Sequence, residues 1–95
     1  MDRVPLPALV DAKRRLCGEL LAAAAVHSAI TDDLATLEQL AAQRALTDDE
    51  QERRAVLRTR KREALRRHDA IEHRLRRLSA HLRSTASETR RTSRL

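Results

Sequence analysis

Four histidines and the carboxylates near them are the side chains of this 95-residue chain that could bind a metal ion. Two ligands on one helix face are usually spaced i, i+4, and the pairs His68/Glu72 and Asp69/His73 have that spacing. The sequence offers neither pair a convincing third ligand. We therefore predict no metal site, and we interpret the histidines as solvated or interhelical side chains.

The composition argues against an enzyme. The chain has no Phe, Tyr or Trp, which enzyme pockets and base-stacking platforms normally use, and Gly18 is its one glycine. It therefore has no glycine-rich loop to hold phosphates. Helices packed side by side also supply few oxyanion donors beyond a helix start, so no Ser–His–Asp arrangement is persuasive. We predict a non-enzymatic protein with no catalytic residues and no cofactor.

Positive charge is concentrated in the second half of the chain. Residues 47–95 carry 15 basic and 8 acidic side chains, whereas residues 1–46 carry 5 basic and 6 acidic ones. This excess favours an acidic partner, and nucleic acid is one such partner. Codon bias in a GC-rich genome would produce the same preference for arginine. The candidate anion-binding residues are Arg58, Arg62, Arg66, Arg67, Arg76 and Arg77.

Thr47 is followed by a cluster of acids, Asp48, Asp49, Glu50 and Glu52. Thr47 and Glu50 have the spacing of a capping box, and acids are favoured at a helix N-terminus. In outline, acids at the end of a helical stalk resemble the acidic-tipped coiled coils of bacterial transcript-cleavage factors. Those factors carry a second globular domain, and no motif of that family is present here. We interpret the acids as a helix start.

Two helices must position these residues, and each is indicated by a series of positions in alternating steps of three and four, most of them apolar. We call this series of positions the seam. The seam occurs once on each side of the capping box. Its first run is Leu9, Lys13, Leu16, Leu20, Ala23, His27, Ile30, Leu34, Leu37 and Ala41. Its second run is Leu57, Lys61, Ala64, His68, Ile71, Leu75, Leu78 and Leu82. We predict an all-α fold, a long antiparallel two-helix hairpin of the coiled-coil type, as part of a larger helical bundle.

The boundaries of the hairpin follow from the seam and from the capping box. The hairpin is predicted over residues 1–84, with helix 1 at about 7–45, a turn at about 46–48 and helix 2 at about 48–84. Residues 85–95 are rich in serine, threonine and arginine, and so polar a segment buries too little surface to offset its ordering entropy. We predict that these residues form a disordered tail.

Helix 1 contains one segment that could interrupt it. Thr31, Asp32 and Asp33 are residues that often cap a helix, so a second helix could begin there. The seam, however, keeps its phase from His27 to Leu34. We favour one continuous helix.

Helix 1 is apolar beyond its seam, and this widens its apolar surface past the width of a two-helix contact. The predicted partner-binding residues are Leu21, Val26 and Leu40. A two-helix hairpin buries little surface by itself, so we expect a helical protein partner or a second copy of the chain to cover these residues. The sequence thus predicts a structural or adaptor subunit, with nucleic-acid binding by the arginine-rich helix as the alternative.

Location can also be predicted from the sequence. Cys17 is the one cysteine, so no intramolecular disulfide can form. The longest apolar stretch, 20–26, is far shorter than the ~20 residues that cross a bilayer, and the N-terminus has no signal-peptide pattern. We predict an intracellular protein, cytoplasmic or nuclear, that is not secreted and does not bind a membrane.

Overall fold

A computed structural model describes residues 4–93 of the chain and the side chains of residues 4–90. Helix α1 spans Leu6–Gln43 and helix α2 spans Asp48–Ser93, and the two helices pack against each other along their length. No strand occurs in the described residues. The prediction of an all-helical hairpin is confirmed.

Helix α1 begins after an extended Pro5, whose carbonyl oxygen accepts hydrogen bonds from the backbone N–H groups of Ala8 (3.0 Å) and Leu9 (3.2 Å). The helix continues without interruption past Thr31. The Thr31 hydroxyl donates to the carbonyl oxygen of His27 at 2.8 Å, so it bonds within the helix instead of capping a new one. The prediction of one continuous helix is confirmed.

The seam forms the interface between the two helices. Every seam residue is buried or half-buried except Lys13, which is exposed. The core is thin, because no side chain of the described residues is less than 2% exposed. The buried residues are Leu9, Ala23, Leu34, Leu37, Leu46, Leu57, Ala64 and Ile71.

Helix α2 corrects the predicted end of the hairpin. It continues to Ser93, so the expected disordered tail is helical from residue 85 to residue 93. Two features explain the difference. The interhelical pattern persists past Leu82, since Thr85 and Ala86 are half-buried, and the Thr85 hydroxyl donates to the carbonyl oxygen of His81 at 3.0 Å. Residues 94–95 lie outside the described part of the chain.

The hairpin is long and thin. Its extents are 73 × 23 × 14 Å and its radius of gyration is 21.0 Å. A compact domain of this length would have a radius of gyration of about 12 Å. The accessible surface is 7734 Å², whereas a compact monomer of the same mass exposes about 5,500 Å². The fold therefore leaves roughly 2,000 Å² more surface uncovered than a self-contained domain would.

Candidate protein-interaction surfaces

One side of the hairpin carries a continuous groove between α1 and α2, which we call the groove. Its central part is lined by apolar side chains, with Ala22 and Val26 from α1 and Ala64 from α2. Ile30 extends this lining toward the loop. Small residues at Ala23 and Ala64, which are 5% and 8% exposed, leave room between the helices, and Val26 stands 54% exposed beside them. The floor of the groove is therefore apolar and open to solvent.

Charged residues line the rest of the groove, and their signs differ along its length. Near the loop, the charged residues that line the groove are Asp33, Asp49, Glu52, Arg53 and Arg60. Toward the open end of the hairpin it is lined by Glu19 and Arg67. Beyond them, Arg15 lies one turn before Glu19, and Arg74 lies two turns after Arg67, on the same helix faces. The loop end therefore has one more acid than arginine, the lining toward the open end is balanced, and the two residues beyond that lining, Arg15 and Arg74, are basic.

The three predicted partner-binding residues do not form one surface. Leu21 and Val26 are five residues apart, which places them about 140° apart around the helix axis. Val26 lines the groove, whereas Leu21, 73% exposed, lies toward the opposite side of the hairpin, as does Leu65 of α2, which is 45% exposed. Leu40 is half-buried. The apolar surface is therefore divided between the groove and a second face, which we call the back face and define by Leu21 and Leu65.

Acids of the hairpin engage some of the candidate anion-binding arginines. Arg58 donates to Glu38 at 2.8 Å across the two helices, and Arg76 pairs with Glu72 within α2. Arg62 donates to the Thr59 hydroxyl at 3.4 Å.

The remaining candidates differ in position. Arg67 lines the groove, whereas Arg66 and Arg77 are exposed on the side of α2 that faces away from α1, as is Arg62. This outer row has no acidic partner within the described residues. The row therefore presents exposed positive charge on the outer side of α2.

The structure brings His68, Asp69 and Glu72 together on one turn of α2, with potential ligand atoms within 4.8 Å of one another. The His68 Nδ1 atom lies 3.3 Å from Asp69 Oδ1 and 3.8 Å from Glu72 Oε2. The sequence paired Asp69 with His73, but in the structure Asp69 lies beside His68, and His73 is exposed. Glu72 also pairs with Arg76, so one carboxylate of the cluster already has a cationic neighbour at the surface.

The loop holds the best-defined polar cluster of the chain. Glu50 N–H donates to Thr47 Oγ1 at 3.2 Å and Thr47 N–H donates to Glu50 Oε1 at 2.9 Å, which confirms the predicted capping box. Arg44, which the sequence did not single out, donates to both carboxylate oxygens of Glu50 at 2.9 Å and to the Ala45 carbonyl oxygen. Bidentate contact with Arg44, followed by the backbone bond from Thr47, lowers the pKa of Glu50 to about 2.

These contacts assign a structural role to Glu50. Both oxygens of its carboxylate are occupied, so Glu50 is not a free acid at the end of a stalk. The carbonyl oxygen of Leu46 accepts a bond from the Gln51 side chain at 3.3 Å, and the Leu46 side chain is buried under the loop. The loop is thus a fixed connection between the helices.

Helix α1 has a property that the count of consecutive apolar residues did not reveal. By length and composition alone it is apolar enough to cross a membrane, and 17% of its apolar window is buried in the hairpin. The core helix of a soluble protein, which is mostly buried, and a signal sequence, which lies near the N-terminus, satisfy the same criterion. The low burial shows that α2 covers a small part of the apolar surface of α1.

Comparison of the chain with protein-family models, with curated proteins and with solved structures finds no match.

Proposed function

We propose that this chain is a non-enzymatic structural or adaptor subunit, an antiparallel coiled-coil hairpin that packs through helix–helix contacts into a larger protein assembly inside the cell. The observation that carries the proposal is the uncovered apolar surface. Val26 in the groove and Leu21 on the back face are each more than half exposed. Large apolar patches on a folded protein mark interaction sites, because covering them removes apolar area from water.

The dimensions of the hairpin support the same role. An excess of roughly 2,000 Å² over a compact monomer exceeds the ~800 Å² that each partner buries in an interface of standard size. The division of apolar residues between the groove and the back face suits a subunit that lies between two neighbours. Polar seam positions such as His27 and Lys61 would set the register of the helices, as polar core residues do in coiled coils.

Purification of the tagged chain from its native host, with and without nuclease, tests this function. We expect a stoichiometric protein partner, or a second copy of the chain, that survives nuclease. Val26→Glu should release a partner that covers the groove, and Leu21→Glu one that covers the back face, since each places a charge in an apolar contact. Retention of a nucleic acid alone would contradict the proposal, as would a chain that remains monomeric and without a partner.

A second candidate function is binding to nucleic acid by charge, and the outer row of Arg62, Arg66 and Arg77 favours it. These side chains are exposed, lie on one side of α2 and have no acidic partner among the described residues. Such a surface would contact phosphates without reading sequence.

Replacing the three arginines of the outer row with glutamine tests this candidate. If each contacts a phosphate of duplex DNA, the slope of log K against log salt should fall by up to about 3. Arg58→Gln is the matched control, because Glu38 already engages Arg58, and it should change the slope less. A slope unaltered by the triple substitution, or no binding at low salt, would remove this candidate. Helicity by circular dichroism should be the same in all variants.

A further inference from the structure

We propose that His68, Asp69 and Glu72, which we call the α2 cluster, bind a divalent transition-metal ion of the type of Zn²⁺. The potential ligand atoms of the three side chains lie within 4.8 Å of one another on one turn of α2. This inference goes beyond the proposed function and does not depend on it. It departs from the prediction of no metal site, which rested on the lack of a third ligand in the sequence.

The structure supplies the third ligand through the direction of Asp69. The sequence paired His68 with Glu72 and Asp69 with His73, which leaves two ligands in each pair. In the structure the Asp69 Oδ1 atom lies 3.3 Å from His68 Nδ1, and the Glu72 Oε2 atom lies 3.8 Å from the same nitrogen. Both carboxylates therefore face one imidazole nitrogen, and one ion can contact all three groups.

The separations within the α2 cluster are close to those of a tetrahedral zinc site. Nitrogen and oxygen ligands lie about 2.0–2.2 Å from Zn²⁺, so at tetrahedral angles they lie about 3.3–3.6 Å from one another. The separation between His68 and Asp69 has this length, and that between His68 and Glu72 exceeds it by a few tenths of an ångström. A small rotation of the Glu72 side chain closes the difference. Three protein ligands leave the fourth tetrahedral position to water.

Arg76 holds Glu72 in a direction that suits this role. Its guanidinium group donates to Glu72 Oε1, whereas the oxygen that faces His68 is Oε2. The pair thus occupies one carboxylate oxygen and presents the other to the α2 cluster, as residues that orient metal ligands do. The Arg76 side chain is 77% exposed, so this ion pair is a weak competitor for the carboxylate.

The chemistry of the three groups selects the class of ion. An imidazole nitrogen with two carboxylates favours Zn²⁺ and related ions over Mg²⁺ and Ca²⁺, which prefer oxygen ligands alone. The two negative charges balance the charge of a divalent cation. The His68 side chain lies in the seam and is 27% exposed, so it has less rotamer freedom to lose when it binds an ion.

Titration of the untagged full chain with zinc chloride, followed by calorimetry, tests the site. We expect one ion per chain. His68→Gln, Asp69→Asn and Glu72→Gln should each raise the dissociation constant at least about tenfold, because loss of a group that only orients a ligand already costs about 10- to 100-fold. His73→Gln is the matched control, an exposed histidine of the same helix, and it should leave the affinity unchanged.

Thermal unfolding gives a second readout. The α2 cluster exists only in the folded helix, so Zn²⁺ should raise the midpoint of the wild type and of His73→Gln, and should not raise that of His68→Gln. Circular dichroism without metal checks that each variant is helical. If His68→Gln loses helicity, Asp69→Asn decides, because Asp69 is exposed and lies outside the seam.

Three results would overturn the proposal. The first is the absence of saturable binding at zinc concentrations up to about 1 mM. The second is binding that His73→Gln abolishes and His68→Gln does not alter, which would assign the ion to Asp69 and His73. The third is binding that no substitution in the α2 cluster weakens. None of these results decides the proposed subunit role, which the nuclease-treated purification tests separately.

Discussion

At the scale of single residues, the loop is where the structure assigns roles most sharply. Arg44, Thr47 and Glu50 fix the start of α2 through five hydrogen bonds within and between their side chains and the nearby backbone. The arrangement satisfies orphan N–H groups at the helix N-terminus and places a carboxylate where the helix dipole favours it. Glu50 therefore serves the fold of the loop.

Glu50→Gln should lower the thermal midpoint at pH 7 and have little effect near pH 2. The pKa of Glu50 is about 2 in the folded chain, below the ordinary 4.5. A group with a depressed folded pKa contributes stability above its unfolded pKa and loses it as the pH falls through the folded pKa. The stability that depends on this charge should therefore decline between about pH 4.5 and pH 2. Glutamine keeps an oxygen for Thr47 N–H, so the change isolates the charge and the contact with Arg44.

Thermal unfolding at several pH values, followed by circular dichroism, measures this effect. Glu52→Gln is the matched control, since Glu52 is an exposed acid two residues away that lies outside the capping box. The interpretation fails if Glu50→Gln and Glu52→Gln have the same pH profile. It also fails if Glu50→Gln is as stable as the wild type at pH 7.

The capping box and Arg44 mark the limit of sequence reasoning at this scale. The Thr47–Glu50 pair was predictable because its spacing is local and its geometry is fixed by the helix start. Arg44 precedes the turn, and its contact with Glu50 depends on how the chain reverses direction. Leu21 and Val26 illustrate a different limit. Their separation of five residues already implied different sides of the helix, but the exposure of each emerged only with the position of α2.

At the scale of the helices, the seam determines the structure. Steps of three and four place one stripe of each helix against the other, and the burial of these positions follows the predicted pattern except at Lys13. The end of α2 was not predictable from composition, because a polar segment remains helical where Thr85 and Ala86 are still half-buried. The prediction of a disordered tail relied on the polar composition of residues 85–95 and overlooked that the seam keeps its phase past Leu82.

Ile71→Ala should destabilise the hairpin by about 2 kcal/mol, toward the low end of the cost for removing a buried large aliphatic side chain. Ile71 is 5% exposed, among the most buried side chains of the chain. The low end applies because the core is thin and neighbouring side chains can move into the space. Leu65→Ala, at a site 45% exposed, is the matched control and should cost much less.

Chemical denaturation of both variants at one protein concentration provides the comparison. If Ile71→Ala and Leu65→Ala lower the free energy of unfolding equally, the seam does not hold the helices together. A loss confined to Leu65→Ala would instead place the stabilising contacts on the back face.

At the scale of the whole molecule, the exposed surface is the central fact. A hairpin 73 Å long with a thin core covers too little of α1 to be a compact domain. The sequence predicted that other helices would cover the remainder, because the apolar surface of α1 was wider than one contact needs. It did not show that this surface has two faces, since that depends on which side of α1 receives α2. The charged lining of the groove likewise depends on residues from both helices.

The most direct test of the central claim, that the hairpin needs a helical partner, is thermal unfolding of the purified full chain at concentrations from about 1 to about 100 μM. Sedimentation at the same concentrations would report its mass. We predict a mass above the 10.8 kDa of one chain and a midpoint that rises with concentration, because association stabilises the folded state. A helical 10.8 kDa monomer that unfolds cooperatively at a midpoint independent of concentration would contradict the claim.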